Sequence, residues 1–216
     1  ALFTVIEAAG ATLARLVVAY CFALTCAVPL AILVTHSERA EKILLPLFDI
    51  FQSVPVLALF PNYILFCVQF NFLNGAAVFI LFLTMLWNIV FTLVGGINVI
   101  PKDVLAAARI FGLSGFSLIK RVVVPAIVPQ LVTGSLLAFA QGWNIIIVAE
   151  VLHTYIPGGT AAQDLFGVGS ILVDAASRGD NGALLMAVSV MVVLIALINF
   201  FIWQKLLHFA QCFRFD

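Results

Sequence analysis

Pro101-Lys102-Asp103-Val104-Leu105-Ala106-Ala107-Ala108-Arg109-Ile110-Phe111-Gly112 opens the stretch whose reading decides the fold. It continues from Leu113 through Val124 to Pro125 and Pro129, and it is the most polar segment between two long apolar ones. Pro101 suits a first helical turn, where a missing N–H costs nothing. Asp103 falls in the same turn and meets the positive end of the helix dipole. Three alanines follow, the strongest helix formers with the smallest side chains. Gly112 can adopt the left-handed conformation that ends a helix. The pattern predicts a short helix with a small-residue face and a few charges. Held between apolar runs, such a face lets a second protein approach closely.

Working outward, the chain is apolar on a scale that excludes an ordinary soluble domain. Of its 216 residues 64% are hydrophobic and 9% charged, against about 45–50% and 25% in soluble domains. Net charge is zero, so nothing points to nucleic acid as a partner. Cys21, Cys26, Cys67 and Cys212 have no paired metal-ligand spacing and read as small membrane residues. The first residue is Ala1, not Met, which fits a trimmed chain and one half of a longer fusion equally.

The fold class expected is all-α: one polytopic membrane domain over 1–216, with about five transmembrane helices and a loop helix between spans three and four. The first span is 11–35, about 25 residues, enough to cross a ~30 Å hydrocarbon core. It is too long for a secretory leader. Arg15 near its start can snorkel to the headgroups, and Pro29 is expected to bend it. The second span, 43–68, carries Pro46, Pro55 and Pro61, read as breaks, together with Asp49, Gln52, Ser53 and Asn62. The third is 76–99, with Asn88 beside Trp87 and a Gly95-Gly96 pair suited to close helix contact. The loop 101–125 follows. The fourth span is 128–152, with Gly134 and Ser135 as small contact residues; Gln141 and Asn144, three apart, share one helical face. The link 153–182 is Gly-rich, and 160–176 within it reads as an interfacial or re-entrant helix. The fifth span is 183–206.

With five spans, Arg39, Lys42, Lys102, Arg109, Lys120, Arg121, Lys205 and Arg214 fall on one side, and only Arg15 and Arg178 on the other. That bias predicts a cytoplasmic central loop and C-terminus and an outer N-terminus, in the cell inner membrane.

The spacing around Gly112 resembles the loop signature of binding-protein-dependent ABC transporter permeases: Glu-Ala-Ala, three residues, Gly, nine residues, Ile, one residue, Leu-Pro. Ala107, Ala108, Gly112, Val122, Val124 and Pro125 stand at these positions, and Ala106 replaces the Glu. Gly112-Leu113-Ser114-Gly115, Lys120 to Pro129, Phe51-Gln52-Ser53-Val54-Pro55-Val56 and Ala149-Glu150 resemble the branch that imports nitrate, sulfonates, taurine or bicarbonate. The resemblance implies import of a small anion and three partners besides the bilayer: a cytoplasmic ATP-binding subunit, a second permease copy or homologue, and an external solute-binding protein.

No Gly-x-x-x-x-Gly-Lys-Ser/Thr loop occurs, so ATP and Mg are expected in the partner subunit and no cofactor in this chain. No catalytic set is expected: His36, His153 and His208 are scattered, and no metal motif occurs. Coupling to the ATPase is assigned to a face of Val104, Leu105, Ala107, Ala108 and Phe111, with Lys102, Asp103 and Arg109 as a polar rim and Gly112 as the stop. Candidates for the translocation path are Gln52, Ser53, Asn88, Gln141, Asn144 and Glu150, with Trp143 as a wall, because polar groups in membranes are costly and functional. For the second-span residues the alternative is a kinked structural helix whose polar groups cap freed carbonyls, and for Glu150 a structural group at the membrane interface. Amides suit an anion. Glu150 does not, unless it sits at the outer mouth or pairs with a cation such as Arg178. A secondary transporter or channel without ATP, relayed by Asp49 and Glu150, and a non-transporting scaffold remain open.

Overall fold

A computed structural model describes residues 2–213 of the chain; Arg214, counted above among the basic residues, lies outside them. Among the described residues every regular element is helical. Helix α1 (Leu2–Thr35) begins well before the expected span. At 1.5 Å per residue its 34 residues reach ~51 Å, longer than a hydrocarbon core. Pro29 lies inside it without ending it. Ala19, Ala23, Ala27 and Ala31 recur every fourth residue and are fully buried. This single row of methyl groups lets the next long helix lie close.

Helix α2 (Glu38–Ser53) starts at Ser37, whose hydroxyl accepts from the Ala40 N–H at 3.1 Å. Helix α3 (Val56–Gln69) follows at a 74° bend. Of the three prolines read as breaks, only Pro55 breaks the chain; Pro46 and Pro61 are carried inside α2 and α3. The reason is local. Val54 before Pro55 is extended, at φ −66° and ψ 123°. Its N–H is shared between the carbonyls of Ile50 and Phe51, at 3.2 and 3.3 Å. The second of these is the acceptor that the N–H missing from Pro55 would have used.

Helix α4 (Leu73–Asn98) is the centre of the bundle. After α5 (Lys102–Ile110) and α6 (Gly115–Leu118), a π-helical turn over Ile119–Val123 leads through α7 (Val124–Ala126) into α8 (Val128–Glu150). The main core lies where α1, α4 and α8 meet, around Leu16, Ile80, Leu81, Met85, Ile89, Leu93 and Ile146. Gly96, Gly134 and Ser135 are buried there, whereas Gly95 is exposed. Tyr20 and Ser135 join α1 to α8 by a hydroxyl pair at 2.7 Å.

The link after α8 holds two 3-10 turns, His153–Tyr155 and Ala161–Gln163, and then α9 (Val168–Ser177). The helix expected within 160–176 is therefore shorter and starts later. Helix α10 (Asn181–Ile198), a π turn (Asn199–Trp203) and α11 (Gln204–Gln211) run on as one rod. A second small core of Val5, Ala8, Ala9, Val168, Leu172 and Ala187 ties α1, α9 and α10. Among the described residues four helices are long and apolar enough to cross a membrane, and five if the bent α2–α3 pair is one span.

Candidate functional site

Helix α5 forms where the alanines stand, one residue later than Pro101 suggested. Pro101 is the residue before the helix, and its carbonyl accepts from Val104 and Leu105 at 3.1 and 3.4 Å. The stop is as expected. Gly112 has φ +79°, its N–H bonds the Arg109 carbonyl at 3.0 Å, and Leu113 N–H bonds the Ala108 carbonyl at 3.0 Å. Two otherwise orphan carbonyls are thereby satisfied.

The residues of α5 divide into a covered side and an open side. Val104 and Leu105 are half-buried and Ala108 is 7% exposed, with Leu105 set against the main core. These three face their own chain. Lys102, Asp103, Ala106, Ala107, Arg109, Ile110 and Phe111 are exposed. Apolar exposure here is extreme: Ile110 and Phe111 are 84% exposed, and Phe116 on the next short helix 77%. Ala106, in the Glu position of the loop signature, lies on this open side.

The path candidates fall into three places. Gln52 and Ser53 are exposed at the α2–α3 elbow, and the Ser53 hydroxyl donates back to the Asp49 carbonyl at 2.7 Å. Gln141 and Asn144 share an exposed stripe of α8 with Thr133, Leu137, Ala140 and Ile147. Trp143 turns away and is half-buried against the core. Asn88 is half-buried, and its amide donates to the Thr84 carbonyl of its own helix at 3.0 Å. Among the described residues no side-chain hydrogen bond joins the elbow to the α8 stripe.

Glu150 is in a third environment, fully buried at the far end of α8. One carboxylate oxygen accepts from Thr12 Oγ1 at 2.7 Å and from Arg15 Nη1 at 2.8 Å, and the other from the Gly169 N–H at 2.8 Å. Its cation is Arg15, not Arg178, which pairs with Asp174 one turn away at 2.9 Å. Arg15 is not a free snorkelling charge. Its Nε donates to Asn74 Oδ1 at 3.0 Å and its Nη1 also to the Phe166 carbonyl at 2.9 Å. Gly167 packs so tightly that a Cβ there would strike the Glu150 carboxylate. The sequence did carry a signal for this cluster: opposite charges near the same end of spans one and four, with Arg15 against the basic bias. A hydrogen bond between His153 Nδ1 and Asp164 Oδ2 at 2.8 Å closes the loop 153–164.

The model of the binding-protein-dependent transport system inner membrane component matches residues 27–208. The chain belongs to that family. A nitrate import permease protein NrtB of Leptolyngbya laminosa is 31% identical over 83% of this chain and 60% of its own length. A bicarbonate transport system permease protein CmpB of Synechococcus elongatus is 30% identical over 68% of this chain and 52% of its own. The chain thus spans about half to three-fifths of these relatives. They fall in the branch that the wording around Gly112 and Pro55 resembles. In shape the chain is similar to a solved structure of inward-facing conformations of the MetNI methionine ABC transporter, at a TM-score of 0.80 and 18% identity over 96% of both chains. That similarity fixes the all-helical permease fold. The family and the apolar helices together make this a multi-pass membrane protein.

Proposed function

We propose that this chain is the permease subunit of an ABC importer for a small anion such as nitrate, bicarbonate, a sulfonate or taurine. It lines the solute path with a second permease copy and takes its drive from a cytoplasmic ATP-binding subunit, which carries the ATP and Mg. An external solute-binding protein delivers the solute. Helix α5 and the C-terminus face the cytoplasm, and the N-terminus faces outside.

The observation that carries this reading is the open apolar face at α5. Ile110 and Phe111 at 84% exposure and Phe116 at 77% are large apolar groups left open to a partner, and the charged Lys102, Asp103 and Arg109 are exposed on α5 beside them in sequence. Exposed aromatic and aliphatic anchors accompanied by charged groups are what a protein interface uses. For the path, Gln141 and Asn144 on an open face of an otherwise apolar helix support a wet surface, since lipid offers their amides no partner. The sequence reading placed Glu150 among the path residues. Its burial and its four polar contacts, counting the Leu165 N–H on its backbone carbonyl at 2.9 Å, support a structural role instead. The same commitment removes one member of an Asp49–Glu150 relay and so disfavours transport without ATP.

The test is co-purification from membranes with an ATP-binding subunit, followed by ATP hydrolysis in liposomes. Hydrolysis stimulated by nitrate or bicarbonate with the binding protein present is the expected result. A chain that moves solute down a gradient with no such subunit overturns the reading.

A further inference from the structure

The Glu150 cluster joins four separate pieces of chain at one end of the bundle. Thr12 and Arg15 come from α1, Asn74 from α4, Glu150 from α8, and Phe166, Val168 and Gly169 from the loop before α9 and its first turn. The Thr12 hydroxyl does two jobs, donating to Glu150 at 2.7 Å and accepting from the Val168 N–H at 3.0 Å. Thr12 and Glu150 are fully buried and the Arg15 side chain is 12% exposed. Breaking a link among Thr12, Glu150, Val168 and Gly169 leaves a charge or a polar group without water, whereas the Arg15 bonds to Asn74 and Phe166 are exposed.

The α2–α3 elbow is the opposite case. Phe48 is the one buried residue of α2, and α3 buries Phe60, Ile64 and Cys67. Among the described residues, its side-chain hydrogen bond to the rest of the bundle is Asn98 Nδ2 to Glu41 Oε1 at 2.6 Å. Glu41 is in the first turn of α2, three turns from the bend. Phe51 to Pro55 are all exposed at the elbow.

We infer that Thr12, Arg15 and Glu150 are positioning residues: they staple the adjoining ends of α1, α4, α8 and α9 into one rigid body, so that the path opens by movement of the α2–α3 elbow against that body. The inference rests on the path reading above for what the movement does. Its physical basis is separate. A carboxylate held by three donors in a dry site resists local opening, while the bend at Phe51 to Pro55 is exposed and its arms meet the bundle mainly through apolar contacts that can slide. The two differ in the interactions that must break before they move.

The experiment uses the full chain assembled with its ATP-binding subunit in lipid nanodiscs. Spin labels at the exposed positions Ile6 and Phe166 report the stapled body, and labels at Phe166 and Leu57 report the elbow against it. On adding a non-hydrolysable ATP analogue, the Ile6–Phe166 distance stays put and the Phe166–Leu57 distance shifts. Without nucleotide, Thr12→Val and Glu150→Gln each broaden the Ile6–Phe166 distribution, and Thr12→Ser restores it. Amide exchange at Val168 and Gly169 rises roughly tenfold in the same variants, the equivalent of one lost charge-assisted hydrogen bond. An Ile6–Phe166 distance that follows nucleotide, or that ignores both variants, overturns the staple. A Phe166–Leu57 distance that never moves overturns the elbow. Absence of solute-stimulated ATP hydrolysis in the wild type counts against the transport reading alone, because the nucleotide-free broadening still decides the staple.

Discussion

Removing Arg15 should damage this protein more than removing Arg15 and the charge of Glu150 together. In Arg15→Leu the Glu150 carboxylate stays fully buried and keeps Thr12 and Gly169 as donors but loses its cation. Breaking a buried ion pair from one side costs about 3–5 kcal/mol, because the remaining charge is stranded away from water. Two further acceptors, Asn74 Oδ1 and the Phe166 carbonyl, lose their donor as well. For a chain of this size 1 kcal/mol moves Tm by about 2–4 °C, so the single variant should melt roughly 6–20 °C lower. In Arg15→Leu/Glu150→Gln the stranded charge is gone, and the amide oxygen still accepts from Thr12. The double variant should therefore recover a substantial part of the loss, a coupling that a double-mutant cycle measures directly. The assay is thermal unfolding of wild type, both single variants and the double variant in one lipid or detergent system. The reasoning fails if Arg15→Leu melts with the wild type. It also fails if the double variant is no more stable than Arg15→Leu.

At α5 the structure separates two kinds of damage. Phe111→Ala and Ile110→Asp should leave the fold intact and weaken capture of the ATP-binding subunit at least tenfold, as truncating an interface anchor does; pull-down from membranes measures it. Ala108→Asp should instead lower the yield of folded protein, because Ala108 faces its own chain. Gly112→Val places a β-branched residue at φ +79°, and its cost of about 1–2 kcal/mol should appear as a lower Tm together with weaker capture. Gln141→Leu and Asn144→Leu remove exposed amides and no core contact, so Tm should hold within the error of the melt while anion uptake into liposomes falls.

Much of the fold was legible because membrane helices announce themselves by length and apolarity. The runs containing Ala31, Ile89, Ile146 and Val192 could be little else. The Gly112 stop was equally plain, since a glycine after a run of helix formers is a local instruction. Of the three prolines read as breaks, only Pro55 breaks the chain. Pro46 and Pro61 have the same covalent geometry but lie inside helices, where each removes one i→i−4 bond without ending the run. At Pro55 the Val54 N–H takes up the freed carbonyl and lets the chain turn.

The faces of α5 were not legible. A helix of alternating small and apolar residues has two plausible inner sides, and Ala107 and Ala108 are chemically identical. Leu105 settling on the core decided which of them is covered. Arg15 shows the same limit from the other direction. Near the end of a span it reads as a snorkelling charge, and nothing local says that a carboxylate 135 residues away will meet it at 2.8 Å.

The sequence by itself determined that this chain crosses a membrane several times and presents a short alanine-rich helix between two spans. Apolar length, helix propensity and glycine φ freedom act within one turn or one segment, so they can be read in order along the chain. Tertiary structure alone decided which charges are buried together and which side of each helix is left open. Those outcomes depend on contacts between segments distant in sequence, where the cost of burying a polar group is offset only if a partner from elsewhere arrives.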